Sequence, residues 1–341
     1  MDAERTGGFA QLRGHLQVIE TLQRMIRAGR MPSAMLLVGP GNVGKTTTAL
    51  ALAQALNCTG QPGVGCGACP PCRKISEGVH PDVAVVSPDG QFVKIGQVRE
   101  ITDMLGLVPR EAHRRVVIVR QADRMNIEAA NAFLKTLEEP PLDTLIVLTA
   151  NEGHGLPETI VSRCVTLRMG PLPEDALRGL MAGKVPEDAT DFALRFAQGR
   201  LRPELLTRAA DWRTLRENMM GHLDALCGAA QGDSRHWPAL VEDITKWCGG
   251  DDWRFALEWL ESAFHDMALF SQGALVENLI NGDHAGHVQN WCAAFADDAP
   301  MRAWQAVLAT REEMVVWNVN KALAMEALWL RIKELSARRA A

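Results

Sequence analysis

"AMLLVGPGNVGKTTTALA", residues 34–51, decides the fold. Ala34–Val38 is a short apolar run of the kind that forms a strand buried on both faces. Gly39-Pro40-Gly41-Asn42-Val43-Gly44-Lys45-Thr46 then fits G-x-x-x-x-G-K-[ST] in full, and a helical stretch follows. Strand, glycine-rich turn and helix form the context in which backbone N–H groups turn inward on phosphate oxygens at a helix N-terminus. In such a loop Lys45 contacts the β- and γ-phosphates of ATP or ADP, and Thr46 offers its hydroxyl to Mg2+. Thr47, in the same first turn, completes the candidate nucleotide set. The alternative is a glycine-rich turn that carries a lysine by chance.

Outward from this stretch the pattern alternates. Apolar residues recur at helical spacing in residues 15–29, 95–108 and 127–139, and strand-like runs occupy 82–88, 115–120, 144–150 and 164–169. Strands alternating with helices predict an α/β domain over residues 1–170, a parallel sheet with helices on both faces. "GPLPED" at 170–175 breaks the pattern, and short helical segments then suggest a small helical lid domain over 171–210. Every readable segment in 211–341 is helical, which predicts an all-α domain. Within it, "DDWRFALEWLESAFHDMALF" (251–270) puts Trp253, Leu257, Leu260, Phe264 and Met267 on one stripe, flanked by Ala256, Trp259 and Ala263. A second helical region at 301–332 is interrupted near Asn318–Asn320.

With 341 residues, 47% hydrophobic and 23% charged, the chain has the balance of a folded multidomain protein. A net charge of −5, with both signs mixed, excludes a strongly basic nucleic-acid binder that acts by charge alone. The first residues lack an apolar signal core, and no run approaches the ~20 apolar residues of a membrane helix, so a cytoplasmic protein without membrane contact is expected. Of eight cysteines, Cys164, Cys227, Cys248 and Cys292 are scattered and read as reduced, small apolar side chains.

The other four fall together. "CGACPPC" supplies Cys66, Cys69 and Cys72 as two successive C-x-x-C steps, and Cys58 precedes them. Tight Gly/Pro turns let such thiolates converge on one ion, so a structural Zn2+ site with Cys58 as fourth ligand is expected. An iron–sulfur cluster or a redox dithiol are the alternatives. His80, in "HPD", reads as a turn residue outside the ligand set.

One feature conflicts with hydrolysis. Phosphate-loop enzymes usually end a strand such as Val116–Val119 in two acids, one for magnesium and one to orient water, yet here stand Arg120 and Gln121. Without those acids the metal is poorly held, and an arginine at 120 would repel it. Asp123 is the nearest carboxylate; three residues along a turning chain it is expected elsewhere, as the N-cap of the helix at 127–139.

The order of phosphate loop, four-cysteine loop, "HPD", "QVRE", "ADRMNIEAANAFLKTLEEPP" and "LPETIVSRC", closed by "NVNKALAMEALWLRI", resembles the AAA+ subunits of bacterial sliding-clamp loaders from Gly14 to Ile332. Within that family the gamma/tau ATPase subunit keeps the acid pair and delta-prime commonly loses it. Arg120-Gln121 and the C-terminus close after the last helical region look like delta-prime. The resemblance implies an accessory subunit of DNA polymerase III in a ring with gamma/tau and delta subunits, held together by the C-terminal collar. That ring opens the β clamp and places it on primer-template DNA.

The resemblance also assigns residues. Arg163, in "SRC", matches the arginine presented in trans to a neighbour's ATP, so this chain would complete another active site while hydrolysing nothing itself. Thr149 matches the position that senses the γ-phosphate, with a local strand-end hydrogen bond as the alternative. Arg202 matches the arginine that closes over nucleotide, although Pro203 departs from the pattern, and His15 replaces a common glutamine. Lys94 and Arg99 are candidate DNA contacts or an ordinary solvated helix face. Two rival functions remain: a hydrolysing gamma/tau-type subunit in which Glu138, Glu139 or Asp123 orients water, and a scaffold with an empty loop. A DNA repair or recombination ATPase would show the acid pair.

Overall fold

The computed structural model describes residues 7–151, 155–228, 236–296, 298–317 and 319–337. The chain packs as two compact units, one running to Ala182 and reclaiming Gly199–Arg202, the other made of Gly183–Gln198 and the chain from Pro203 onward.

The first unit is a five-stranded sheet of β1 (Ala34–Val38), β2 (Val83–Val86), β3 (Arg115–Val119), β4 (Thr144–Ala150) and β5 (Val165–Arg168), in the order β2-β3-β4-β1-β5. All pairings are parallel. The helices are α1 (Leu16–Arg27), α2 (Lys45–Asn57), α3 (Pro70–Ser76), α4 (Ile95–Leu105), α5 (Ile127–Glu138), α6 (Glu158–Val161) and α7 (Glu174–Met181). The central strands are apolar on both sides because each side faces its own core. Leu36, Val117, Val119, Ile146 and Leu148 pack with α4 and α5 residues such as Ile101 and Phe133. Met35, Leu37, Val116, Ile118 and Val147 pack with Leu22 of α1 and Leu52 of α2. Alternation of Cβ atoms across the pleat produces this division.

Every β-to-α connection therefore leaves the sheet at one edge and every α-to-β connection returns at the other. The first edge carries the turn after β1, residues 120–126 after β3 and Asn151 after β4. The second carries a buried lock: Asp82 is 0% exposed and accepts the N–H groups of Arg110 (3.0 and 2.9 Å), Glu111 (2.7 Å) and Ala112 (3.0 Å). Arg115 Nη2 donates to Asp82 at 2.7 Å and to the Val108 carbonyl at 3.0 Å, while Nη1 donates to the carbonyls of Met104 and Leu107.

The second unit contains α8 (Glu187–Ala197), α9 (Pro203–Gly228), α10 (Trp237–Gly249), α11 (Asp252–Ser271), α12 (Ala285–Ala294), α13 (Ala299–Val316) and α14 (Lys321–Ala337). The α11 stripe and its flanking residues are all buried. A helix apolar on so many sides is the centre of its bundle. Trp259 meets Trp291 edge-on at 6.1 Å, and Phe192, Phe196, Trp212 and Phe255 form one aromatic cluster. Between α13 and α14, Asn320 caps α14 by accepting the Leu323 N–H at 3.1 Å; Asn318 lies outside the described residues. Among the described residues no helix is long and apolar enough to cross a membrane.

Candidate functional site

The turn after β1 needs its glycines. A Cβ on Gly39 would sit 1.9 Å from the Met169 carbonyl oxygen, and Gly44 turns the chain into α2 at φ 98°. Asn42 also takes a positive φ, 61°, which its short polar side chain tolerates. Lys45 follows as the first residue of α2 and is buried. Its Nζ donates to the Gly39 carbonyl (2.7 Å), the Pro40 carbonyl (2.6 Å) and Asn151 Oδ1 (3.4 Å). All three acceptors are neutral. Burial lowers the ammonium pKa, and the charge of Asp123 offsets only part of that. Among the described residues this buried cation is bonded to neutral oxygens at a helix N-terminus, which suits it chemically to receive an anion such as a phosphate. The backbone of Leu201 donates to the Asn42 carbonyl at 3.0 Å, which brings the segment carrying Arg202 to the same loop.

At the end of β3, Arg120 is exposed and its guanidinium leans toward Ser87 (3.5 Å), on the β2 side of β3. Since β4 separates β3 from β1, this direction is away from the phosphate loop. The expected repulsion of a metal by Arg120 is thus not a matter of contact; the loss is that of the acids. Gln121 turns at φ 49°, and its N–H donates to Thr149 Oγ1 at 3.2 Å. The Thr149 hydroxyl, 2% exposed, therefore ties β4 to the β3 turn. The side chain that reaches Lys45 is Asn151, the residue just after β4. The signal for it is a polar residue directly following the buried run "TLIVLTA" at the loop's own edge of the sheet.

Asp123 corrects the sequence reading. The N-cap of α5 is Asn126, whose Oδ1 accepts the Ala129 N–H at 2.8 Å. Asp123 lies in a single 3-10 turn, Ala122–Arg124, which swings its carboxylate back to the sheet edge, where Oδ1 accepts the Asn151 N–H at 3.3 Å. Asp123, Asn151 and Lys45 thus form one connected chain. Glu138 and Glu139 do not join it, because α5 runs antiparallel to the strands and ends at the opposite edge, before β4 begins.

The four thiols converge. The Sγ atoms of Cys58, Cys66, Cys69 and Cys72 all lie within 4.8 Å of one another, and those of Cys58 and Cys69 are 3.7 Å apart. Tetrahedral ligation with Zn–S of ~2.3 Å requires S···S edges of ~3.8 Å, so the donor set fits Zn2+. Cys58 Sγ accepts the N–H groups of Gln61 (3.1 Å) and Cys66 (3.3 Å), and Cys66 Sγ that of Cys69 (3.3 Å). Backbone N–H groups of Ala68 and Cys69 lower the Cys66 pKa. Burial opposes ionisation of Cys69, but donors from Cys72 and Thr59 outweigh it and bring that pKa to about 5. Burial and the neighbouring thiols raise Cys72. His80 is not in the cluster; it is buried, and its Nδ1 accepts the Asp82 N–H at 3.1 Å. Burial pushes Cys164 and Cys292 up to about 11 and Cys227 to about 12, the behaviour of inert packed thiols.

Arg163 lies between α6 and β5, on the edge opposite the phosphate loop, since Val165 pairs with Met35 at the start of β1. It is partly exposed and forks onto Glu138 Oε1 through Nε (3.0 Å) and Nη2 (2.5 Å), with Nη1 on the Thr159 carbonyl at 2.8 Å. Lys94, a candidate DNA contact, pairs with Asp89 at 2.6 Å.

Comparison with known proteins gives a consistent assignment. The family described as DNA polymerase III, delta subunit, matches residues 14–173, and its C-terminal counterpart matches residues 222–334. The delta-prime subunit of Bacillus subtilis is 36% identical over 161 residues, covering 47% of this chain and 49% of that protein. The delta-prime subunit of Pseudomonas aeruginosa is 40% identical over 144 residues, covering 41% and 43%. The tau subunit of Escherichia coli is 31% identical over 205 residues, covering 58% and 32%. These matches span about half or less of each relative's length. A DNA polymerase III gamma subunit-related protein from Thermotoga maritima superposes with a TM-score of 0.54 at 20% identity over 93% of this chain and 99% of that one. At that identity it supports the fold alone, a parallel α/β domain followed by a helical region.

Proposed function

Because the chain belongs to the DNA polymerase III delta-subunit family, we propose that it is a delta-prime-type subunit that holds a nucleotide without hydrolysing it. It completes a neighbour's active site with Arg163. Residues Gly39–Thr47 would hold the phosphates, with Lys45 as the charge partner, Asn151 beside it, and Arg202 closing from the adjoining segment. In this reading the γ-phosphate contact assigned to Thr149 passes to Asn151. Magnesium, where bound, would neutralise phosphate charge, and Thr46 is the hydroxyl positioned in sequence to ligate it. Zn2+ on Cys58, Cys66, Cys69 and Cys72 is structural.

The observation that carries the proposal is that Arg163 and Lys45 stand at opposite edges of one sheet. Five residues of β1 at roughly 3.3 Å each separate those edges by on the order of 15 Å, so Arg163 does not serve its own phosphate loop. An arginine there is useful to a second chain packed against that edge. The chain's place is accordingly in a ring with gamma/tau and delta subunits that loads the β clamp onto primer-template DNA.

Removing Lys45 tests the nucleotide half. A charge-assisted contact to phosphate contributes about 1.5–3 kcal/mol, so Lys45→Ala is expected to weaken ADP and ATP binding about 10- to 100-fold in equilibrium titration. Equal affinity in both proteins, or no binding by either, would favour the scaffold with an empty loop. The Asp123–Asn151–Lys45 chain favours a second reading, a hydrolysing subunit in which Asp123 stands in for the missing acids. That reading requires turnover that Asp123→Asn abolishes.

A further inference from the structure

His15 and the four-cysteine module are joined by a short strap, residues 7–15, that neither site explains by itself. At one end the strap is pressed against the cysteine loop more closely than any side chain would permit. A Cβ on Gly8 would lie 2.2 Å from the carbonyl oxygens of Val64 and Gly65, and one on Gly67 would lie 2.5 Å from Gly7 Cα. The Phe9 N–H donates to the Val64 carbonyl at 3.1 Å, and the Gly8 N–H to Gln54 Oε1 at 2.8 Å. The Gln54 amide in turn donates to the Cys72 carbonyl (3.0 Å) and Ser76 Oγ (2.7 Å). Phe9 is buried in the core beside α2.

At the other end the strap stops at His15, which takes the left-handed conformation (φ 54°, ψ 33°) before α1. Its Nε2 lies 2.9 Å from the Val43 carbonyl, in the middle of the phosphate loop. A carbonyl only accepts, so the imidazole donates, which fixes the Nε2–H tautomer. A non-glycine residue at positive φ is strained, and here the strain is offset by a bond that aims the ring at the loop.

We infer that the strap couples the cysteine module to the phosphate loop, with His15 as the positioning residue through which metal loading sets the rigidity of residues 41–46. The metal gives the 58–72 loop its shape; that shape makes the bed for Gly7–Phe9; and the anchored strap holds His15 against Val43. The effect on nucleotide affinity rests on the nucleotide reading above. The effect on the loop itself does not.

The test is amide hydrogen exchange on the full chain, metal-loaded and after chelation, in wild type, His15→Ala and His15→Gln. Chelation is expected to speed exchange several-fold in residues 8–15 and in 41–46. His15→Ala should speed exchange in 41–46 to a similar degree while leaving the cysteine loop protected, and chelation of that variant should add nothing there. His15→Gln, which retains a donor, should restore protection. Unchanged exchange in 41–46 on chelation, or additive effects of chelation and His15→Ala, overturns the coupling. If chelation also strips protection from β3 and β4, the metal-loaded variants decide: unchanged phosphate-loop exchange in His15→Ala overturns the proposal. Parallel titration with a fluorescent ADP separates the two claims. Wild type that binds none contradicts the nucleotide reading, whereas the exchange pattern still tests the strap.

Discussion

Replacing Arg163 with alanine is expected to lower the DNA- and clamp-stimulated ATPase of the reconstituted loader by about 10³–10⁵ at the neighbouring site proposed to receive this arginine, the range for a guanidinium supplied in trans to a transferring phosphoryl group. The expectation rests on placement and on chemistry. Arg163 stands at the edge of the sheet away from its own phosphate loop, with its guanidinium partly exposed. It is held by Glu138 at 2.5 Å, within the "LKTLEEPP" segment that ends α5. An exposed ion pair of this kind contributes about 0.2–1 kcal/mol, so it preorients the side chain and is readily exchanged for a phosphate. Glu138→Gln should therefore change the stimulated rate no more than about five-fold, a bound set by the same range. Arg163→Lys keeps the charge and loses the planar fork, and should restore little. Assays on an assembly in which only this chain is altered check all three. Full stimulated activity in Arg163→Ala contradicts the assignment.

The second large effect concerns folding. Asp82→Ala is expected to destabilise the α/β unit by about 3–5 kcal/mol in denaturant unfolding, the cost of leaving one partner of a buried pair uncompensated. Arg115 would remain 2% exposed with no anion, and the N–H groups of Arg110, Glu111 and Ala112 would lose their acceptor. Burial opposes ionisation of Asp82, but the donors from Glu111, Arg115, Arg110 and Ala112 outweigh it and hold the carboxyl far below the usual range. With the folded pKa below the unfolded value of about 3.9, this stabilisation is fully present above that pH and is lost as pH falls toward the folded pKa. Wild type should therefore lose stability below about pH 4, and Asp82→Ala should lack that component. A loss under about 1 kcal/mol would mean that the pair merely offsets its own desolvation and that its partners find water when it is cut.

The elements legible in the sequence were those set by local pattern. Val116–Val119 and Leu145–Leu148 are strands because apolar runs buried on both faces satisfy a parallel sheet, and the α11 stripe is buried as its spacing required. The cysteine cluster was readable because C-x-x-C steps and tight turns are local too. What escaped was set by contacts between segments far apart in sequence. Asp123 reads as a cap because it is a carboxylate shortly ahead of a helical stretch, yet a single 3-10 turn gives the cap to Asn126 and sends Asp123 to Asn151. Asn151 itself is meaningful only once β1 and β4 are neighbours, which the order of strands along the chain does not state. His15 stands where a glutamine is common, with no consequence visible in the sequence, and the strap brings its ring to Val43. Glu138 and Glu139 are carboxylates that the sequence leaves open as water-orienting groups, and the direction of α5 places them at the opposite edge.

The most direct test of the account is ATP turnover by the purified chain alone with magnesium, read against Lys45→Ala prepared identically. Nucleotide is expected to bind to wild type with turnover no higher than that of the variant, so that the chain's chemical contribution is Arg163 delivered elsewhere. Turnover that Lys45→Ala abolishes would contradict it, and Asp123 would then be the acid that replaced the pair lost at Arg120 and Gln121.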